Sequence, residues 1–331
     1  MARSITTPIL ILVYKRPNTT IHLINALRQV KPKLIYISIN IPDKKNILDF
    51  EKNNKVLEII KSINWKCKIK INKKNNLDSY SSYKHAVNWF FKLEKEGIIL
   101  EDDLIPHKSF FLFCSKLLKK YRHNKNITHI NGTSFIHPSN KNKKDLFFFS
   151  NFFFSWGLAT WRRAIIKHDE QMLDWPKLKK SYLLKRVNNS DFFLSYWNKI
   201  FNDQYRNKSK AWDYRWVYTN WKNKSLSIVP SVNLIKNIGF NKDATHTQRE
   251  TWYSNFPIYN LKLIGRYPKI IKTNIDYDNW IIENFLLRKS KFFLFKKKIN
   301  LDNKYFFIFK LLYKFINYNL KRFRTKPKFR Y

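Results

Sequence analysis

Residues 7–13 (TPILILV) form an almost unbroken apolar run, and Tyr14-Lys15-Arg16-Pro17 ends it. A run of that length reads as a buried strand. The period then changes. Ile21, Ile24, Leu27 and Arg28 recur at helical spacing to about Val30, with Asn18 or Thr19 as the expected cap. Residues 34–41 (LIYISINI) predict a second strand closed by Pro42-Asp43, residues 54–63 a helix, and residues 66–71 (KCKIKI) an alternating third strand. A helix is expected over 78–93, with Tyr83, Ala86, Val87 and Phe90 on one face. The next apolar run, Gly97-Ile98-Ile99-Leu100, stops at three consecutive acids, Glu101-Asp102-Asp103. Strand alternating with helix predicts an α/β fold: a mixed, mostly parallel sheet flanked by helices, Rossmann-like in layout.

The second half is less regular. From Pro106 a helix is expected over 109–121, then a short strand over 126–130 and a turn at Asn131-Gly132-Thr133. A Lys-rich loop at 139–144 precedes the extended aromatic run Phe147–Phe154, which leads into Ser155-Trp156-Gly157-Leu158-Ala159-Thr160-Trp161. Residues 165–210 read as mixed helix. Ala211-Trp212-Asp213-Tyr214-Arg215-Trp216 opens a helix through Trp221, a strand follows over 225–229, and 233–247 is loop-rich. From Arg288 onward Lys and Arg alternate with Phe, Tyr, Leu and Ile, with Asp302 the only acid. No internal repeat is present.

Charge changes the range of partners to consider. The 331 residues carry 65 basic and 23 acidic side chains, a formal net charge of +42. Such a surplus favours polyanions: nucleic acid, anionic lipid or nucleotide phosphates. Over-use of Lys, Asn, Ile, Phe and Tyr also fits an AT-rich coding drift that puts Lys on every tolerant surface. A nucleic-acid binder would show clustered charge and a known motif. The basic residues are instead spread along the chain, no such motif occurs, and nucleic acid is not an expected partner. Cys67 and Cys114 have no CxxC spacing and read as reduced, buried thiols. The first apolar run leads to no small-residue cleavage site and reads as a core strand, not a signal peptide. No apolar stretch reaches the roughly 18 residues that span a bilayer.

The acidic triplet is the main candidate for chemistry. Three adjacent like charges raise one another's pKa and repel. The plain reading is a solvated acidic turn. In an acid-poor chain, at the carboxyl end of a strand, the triplet also suits a hard divalent cation, Mn²⁺ or Mg²⁺, held by one or two carboxylates together with substrate phosphates. Glycine occurs only at 97, 132, 157, 239 and 265, so neither GxGxxG nor a GxxxxGK[ST] loop is available. Any bound phosphate must be held by metal and by Arg or Lys.

Six segments in order resemble the GT-A glycosyltransferases, in the branch of N-acetylglucosaminyltransferase I and its bacterial relatives. They are Leu12–Pro17, Tyr83-Lys84-His85-Ala86, Ile98–Leu104 with Phe110-Phe111, Phe153–Gly157, Trp212-Asp213, and Pro230–Phe240. The resemblance covers about 7–250. It implies a GT-A domain over 1–265, with a donor-binding half (1–135) and an acceptor-side half (136–265), followed by a helical basic and aromatic extension over 266–331. It implies that Asp103 binds the metal, that Asp102 and Glu101 contact sugar and ribose, that Arg16 lies beside the donor nucleotide, and that Asp213 is the catalytic base. Asn40 stands where the family has an Asp that reads uracil, and Asn88 where it has a His, which leaves the base open. The implied reaction moves a sugar from a nucleotide-sugar donor, a UDP-sugar such as UDP-GlcNAc, to a glycan or lipid-linked acceptor with inversion. The implied setting is polysaccharide or lipopolysaccharide synthesis, in the cytoplasm or at the inner membrane face.

Each role has a plain alternative. Asp213 can be a helix N-cap. Trp156, Trp212 and Trp216 suit sugar faces or the core, whereas Trp161 and Trp221 read as core. Lys84 can pair with phosphate or with the triplet. His246 can belong to a lid over the diphosphate or to a solvated loop. The extension, with Phe292, Phe293, Leu294 and Phe295 among basic residues, suits an anionic membrane surface or packs on the main domain.

Overall fold

The computed structural model describes residues 5–135, 145–209, 211–240 and 253–287. His246, the Lys-rich loop at 139–144 and the extension from residue 288 onward lie outside them. The chain divides into two units, Met1–Asn279 and Trp280–Tyr331. In the second, the described part is a π-helical turn, Ile281–Leu286.

The first unit is the expected α/β fold. Its strands and helices are β1 (Ile9–Val13), α1 (Pro17–Val30), β2 (Leu34–Ile41), α2 (Ile47–Lys61), β3 (Lys68–Asn75), α3 (Ser79–Leu93), β4 (Glu96–Glu101), β5 (Leu104–Pro106) and α4 (Lys108–Tyr121). Then come β6 (Ile127–Asn131), β7 (Phe147–Ser150), β8 (Leu158–Trp161), α5 (Arg162–Ile165), α6 (Trp175–Leu178), α7 (Asp191–Tyr205), α8 (Asp213–Lys222), β9 (Leu226–Pro230), β10 (Ile235–Asn237) and α9 (Ile275–Trp280). Eight strands make one sheet in the order β3-β2-β1-β4-β8-β6-β9-β7, and β10 pairs with β5 in a small second sheet. In the large sheet β8 and β7 run against the other six.

The apolar runs explain the centre. Ile9, Leu10, Ile11, Ile35, Ile37, Ile98 and Leu100 have no exposed surface: residues of α1, α2 and α4 join Ile9, Ile11, Ile35, Ile37, Ile98 and Leu100 in one core cluster, and α3 packs on β1 and β2. The α3 face holds as expected: Tyr83, Ala86, Val87 and Phe90 are buried, and Asp78 caps the helix by accepting the N–H groups of Tyr80 and Ser81. The other differences are local. Helix α1 begins at Pro17, not at an Asn18 or Thr19 cap; Pro fixes its own φ and excludes Arg16 from the helix. The Thr19 and Thr20 hydroxyls donate to the Arg16 carbonyl. Helix α2 begins at Ile47, well before the expected 54, with Asn46 accepting the Asp49 N–H as its cap. Strand β8 was not expected: four residues between Gly157 and α5 are too few for a period, yet they stand between β4 and β6. Gly157 reaches them at φ 63°, where a side chain would be strained and would strike Ile235.

On β6, His129 is fully buried and edge-on to Phe153. Burial pushes its pKa down to about 3. In the unfolded chain His titrates near 6.5. The folded value is depressed, so the neutral ring carries no ionisation cost above pH 6.5, and a penalty on the fold grows as pH drops from 6.5 toward 3. Replacing it with Phe removes the penalty. Urea unfolding at pH 7 and pH 4.5 should show the difference in stability between His129→Phe and wild type shifting by about 2–3 kcal/mol in the variant's favour at the lower pH. A shift near zero overturns this account.

Candidate functional site

Strands β1 and β4 are neighbours and parallel, with Leu12 opposite Glu101. The residues that follow each strand therefore emerge side by side. Strand order also turns here: β2 and β3 lie beyond β1 on one side, and the later strands lie beyond β4 on the other. In open α/β sheets the crevice outside the strand carboxyl ends at such a point is where ligands bind.

Arg16 comes from β1 and the acids from β4. The Arg16 guanidinium spans two carboxylates. Nη1 donates to Asp103 Oδ2 at 2.8 Å, and Nη2 faces Asp102 Oδ1 at 2.7 Å as an ion pair without hydrogen-bond alignment. The Tyr14 N–H donates to Asp102 Oδ2 at 3.3 Å. Asp102 is buried, whereas Glu101 and Asp103 keep some exposure. Burial works against the Arg16 charge, but Asp102, Asp103 and Glu101 outweigh it and raise its pKa. Glu101 is pushed up by burial and by repulsion from Asp103, with Arg16 opposing and Asp102 and Asp213 adding to the rise. Asp102 is pushed up by burial, and Arg16 again opposes. Burial is the first cause of both rises, and Arg16 offsets only part of it.

Helix α8 brings the other candidate. It begins at Asp213 itself, so Trp212, not Asp213, holds the cap position. Trp212 stacks on Tyr83 of α3 with centroids 3.5 Å apart and planes 11° apart, which fixes the start of α8 against the site. Asp213 is close enough to raise the pKa of both Glu101 and Tyr83. Four residues expected at the site, Arg16, Glu101, Asp102 and Asp103, therefore converge, with Asp213 beside them.

Other expected residues are engaged elsewhere. The Asn40 amide clamps Leu77: Nδ2 donates to its carbonyl at 2.8 Å, and Oδ1 accepts its N–H at 3.0 Å. The Lys84 ammonium meets Glu170 at 2.5 Å rather than the triplet. Trp156 is half-buried among Phe135, Phe240 and Tyr253. Trp212 and Trp216 are buried core aromatics and offer no open plate, and Trp161 and Trp221 are core as expected.

Three contributors escaped the sequence reading. Tyr83 is buried beside Glu101 and Asp213, and its hydroxyl faces the Trp216 indole. Asn53 donates to the carbonyls of Tyr14 and Asn40 and so ties together the ends of β1 and β2. Gly239 lies against Asp103: a Cβ there would stand 2.1 Å from Oδ2. The signal for Gly239 was the scarcity of glycine in the chain.

No protein-family model matches the chain, and no curated protein does. Among solved structures, a mannosyltransferase from Pyrobaculum calidifontis in complex with GDP-Man and Mn²⁺ aligns over 55% of this chain and 46% of its own, at 9% identity and a TM-score of 0.32. The apo form of the glycosyltransferase GlyE from Streptococcus pneumoniae TIGR4 aligns over 72% of this chain and 57% of its own, at 9% identity and a TM-score of 0.26. The chain thus spans less than two thirds of either structure. Likeness of this size carries no conclusion about chemistry.

Removing Arg16 leaves the carboxylates facing one another. Arg16→Ala should cost about 3–5 kcal/mol in urea unfolding, the usual cost of stripping one partner from a buried pair. Adding Asp102→Asn should recover more than half of it; a neutral single variant would remove Arg16 from this role. Gly239→Ala forces the Asp103 side chain to move. The inserted methyl should cost about 1–3 kcal/mol in urea unfolding, the usual cost of overpacking; an unchanged midpoint would remove Gly239 from this contact.

Proposed function

We propose that the chain is a glycosyltransferase that moves a sugar from a nucleoside-diphosphate donor to a hydroxyl of a glycan or lipid-linked acceptor. One observation carries the reading: Arg16, Glu101, Asp102, Asp103 and Asp213 converge at the carboxyl ends of β1 and β4, where the sheet order turns. A diphosphate with an attached sugar needs positive charge at its phosphates and a carboxylate near its reacting carbon, and this crevice offers both.

The donor set fits a hard divalent cation, Mn²⁺ or Mg²⁺. Hard oxygens are adjacent, three carboxyl groups stand around a single guanidinium, and Asp103 keeps some exposure. Among the described residues no three His, Cys, Asp or Glu side chains form a metal cage. Asp103 would hold the ion, and phosphate and water oxygens would supply the remaining ligands. Held there, it would supply positive charge toward the departing diphosphate.

The chain's own groups do the rest. Arg16 pairs with the donor phosphates once its fork to the carboxylates opens. Glu101 and Asp102 hydrogen-bond sugar and ribose hydroxyls. Asp213 takes the proton of the acceptor hydroxyl as that oxygen attacks the anomeric carbon. The new carbon–oxygen bond forms as the bond to phosphate breaks, and its electron pair leaves with the diphosphate. A single displacement of this kind inverts the anomeric centre. UDP-sugars, UDP-GlcNAc among them, are the first donors to try, and a cytoplasmic route to surface polysaccharide is the setting proposed for the product.

A thermal-shift panel of UDP, GDP, CMP and their sugar conjugates, with and without Mn²⁺, tests the donor site. One nucleotide at a hundredfold excess over its Kd should add about 2.7 kcal/mol in the presence of metal, and Asp103→Ala should lose that gain. Asp213→Asn should keep the shift and lower turnover about 10²–10⁴-fold. If no nucleotide raises the melting temperature, the proposal fails.

A further inference from the structure

Strand β7 is the last strand of the large sheet, and the segment after Leu261 runs along its open edge. That segment touches the edge at two points. Arg266 bridges Asp145, and its carbonyl accepts the Leu146 N–H at 2.9 Å. Thr273 bridges Phe149, whose carbonyl accepts the Asn274 N–H at 2.8 Å. From Asp145 to Phe149 the edge advances four residues, about 13 Å at a strand's rise. Between the same anchors the covering segment has seven steps. The surplus leaves the edge as an arch.

Tyr267 forms the foot of the arch, packed on the Phe147 ring at 5.3 Å, with the Lys120 ammonium 5.2 Å above it. Past Pro268 the side chains face solvent. Ile270 is 70% exposed, and Ile271, Lys269 and Lys272 are exposed around it. Ile264 and Ile275 on either side are exposed as well. From 261 to 275 the chain carries Lys262, Arg266, Lys269 and Lys272 and no acid. Single exposed apolar side chains are ordinary. Adjacent isoleucines at the tip of a pinned arch, with a lysine on each side, are a different pattern.

We propose that this arch docks on an anionic lipid bilayer, with Ile270 and Ile271 entering the boundary between headgroups and acyl chains and Lys269 and Lys272 pairing with lipid phosphates. Apolar burial and attraction to acidic headgroups act together at such a surface. The charge selects this occupant. A second copy of this +42 chain would bring cations against cations, and a neutral apolar partner would leave four basic side chains without counter-charge. The inference does not depend on the transferase reading.

The test uses the full chain and sedimentation with vesicles of phosphatidylcholine alone or mixed with phosphatidylglycerol. Wild type should bind the mixed vesicles. Ile270→Ser with Ile271→Ser should weaken that binding at least tenfold with a melting temperature within a few degrees of wild type, since Ile270 is largely exposed and Ile271 partly so. Because the basic residues beyond 288 can hold the chain to anionic vesicles by charge alone, a second readout is local. Ile270→Cys in a Cys67→Ser background, labelled with an environment-sensitive fluorophore, should shift to the blue and become shielded from aqueous iodide on the mixed vesicles. Equal binding by the double serine variant overturns the proposal. So does a label that stays fully open to iodide on vesicles that the protein has bound. A blue shift that follows protein concentration without vesicles assigns the tip to a second copy and overturns it too.

Discussion

One guanidinium holds two adjacent carboxylates where the sheet changes direction, and the site depends on that contact. The parallel register of β1 and β4 brings their ends together whatever the side chains are. Without a cation, Asp102 and Asp103 would not stay side by side in a partly buried place. Arg16 is well prepared for the task. Pro17 keeps it out of α1, its carbonyl is held by two threonine hydroxyls, and its side chain is free to reach across to β4. A buried ion pair of this kind is close to neutral for stability once desolvation is counted. Its effect is to fix where three acids stand in an acid-poor chain.

The balance at the fork is what supports the proposed ligand site. Glu101 and Asp102 are both pushed toward protonation while Arg16 is held charged, so the local charge is frustrated on the acidic side. A ligand that brings phosphates with a cation can satisfy both partners of the fork: anionic oxygens for Arg16, positive charge for the carboxylates. Asp213 reaches the same place through an aromatic contact, Trp212 on Tyr83, rather than through the sheet. The proposed base is thus positioned by core packing, not by a loop.

Much of this was legible in the chain, and the limits have physical causes. Buried strands show as apolar runs, so β1, β2 and β4 were found, and β2 to the residue. Strand β8 was not, because four residues carry no period and their burial comes from both neighbours. The start of α2 was missed because its first residues, Ile47 and Leu48, are 68% and 72% exposed and mark no face. The triplet was conspicuous against the chain's basic surplus. Asn40 and Lys84 could not be judged from sequence, since their partners, Leu77 and Glu170, are set by tertiary structure. Tyr83 was hidden in the opposite way: it belongs to an apolar helical stripe that does face the core, and only the fold reveals that this part of the core borders the acids.

The two edges of the sheet show which exposed features belong to folding. An open edge invites pairing with another strand, and proteins blunt it with charge or cover it. At β3 the edge is blunted by Lys68, Lys70, Lys73 and Lys74. At β7 it is covered by the segment from Arg266 to Thr273, and two bridges suffice for that. A segment that ran straight between them would protect β7 equally well with fewer residues and no solvent-facing isoleucines. The arch exceeds what the edge requires, and Ile270 at its tip is 70% exposed. Its chemistry is therefore directed outward.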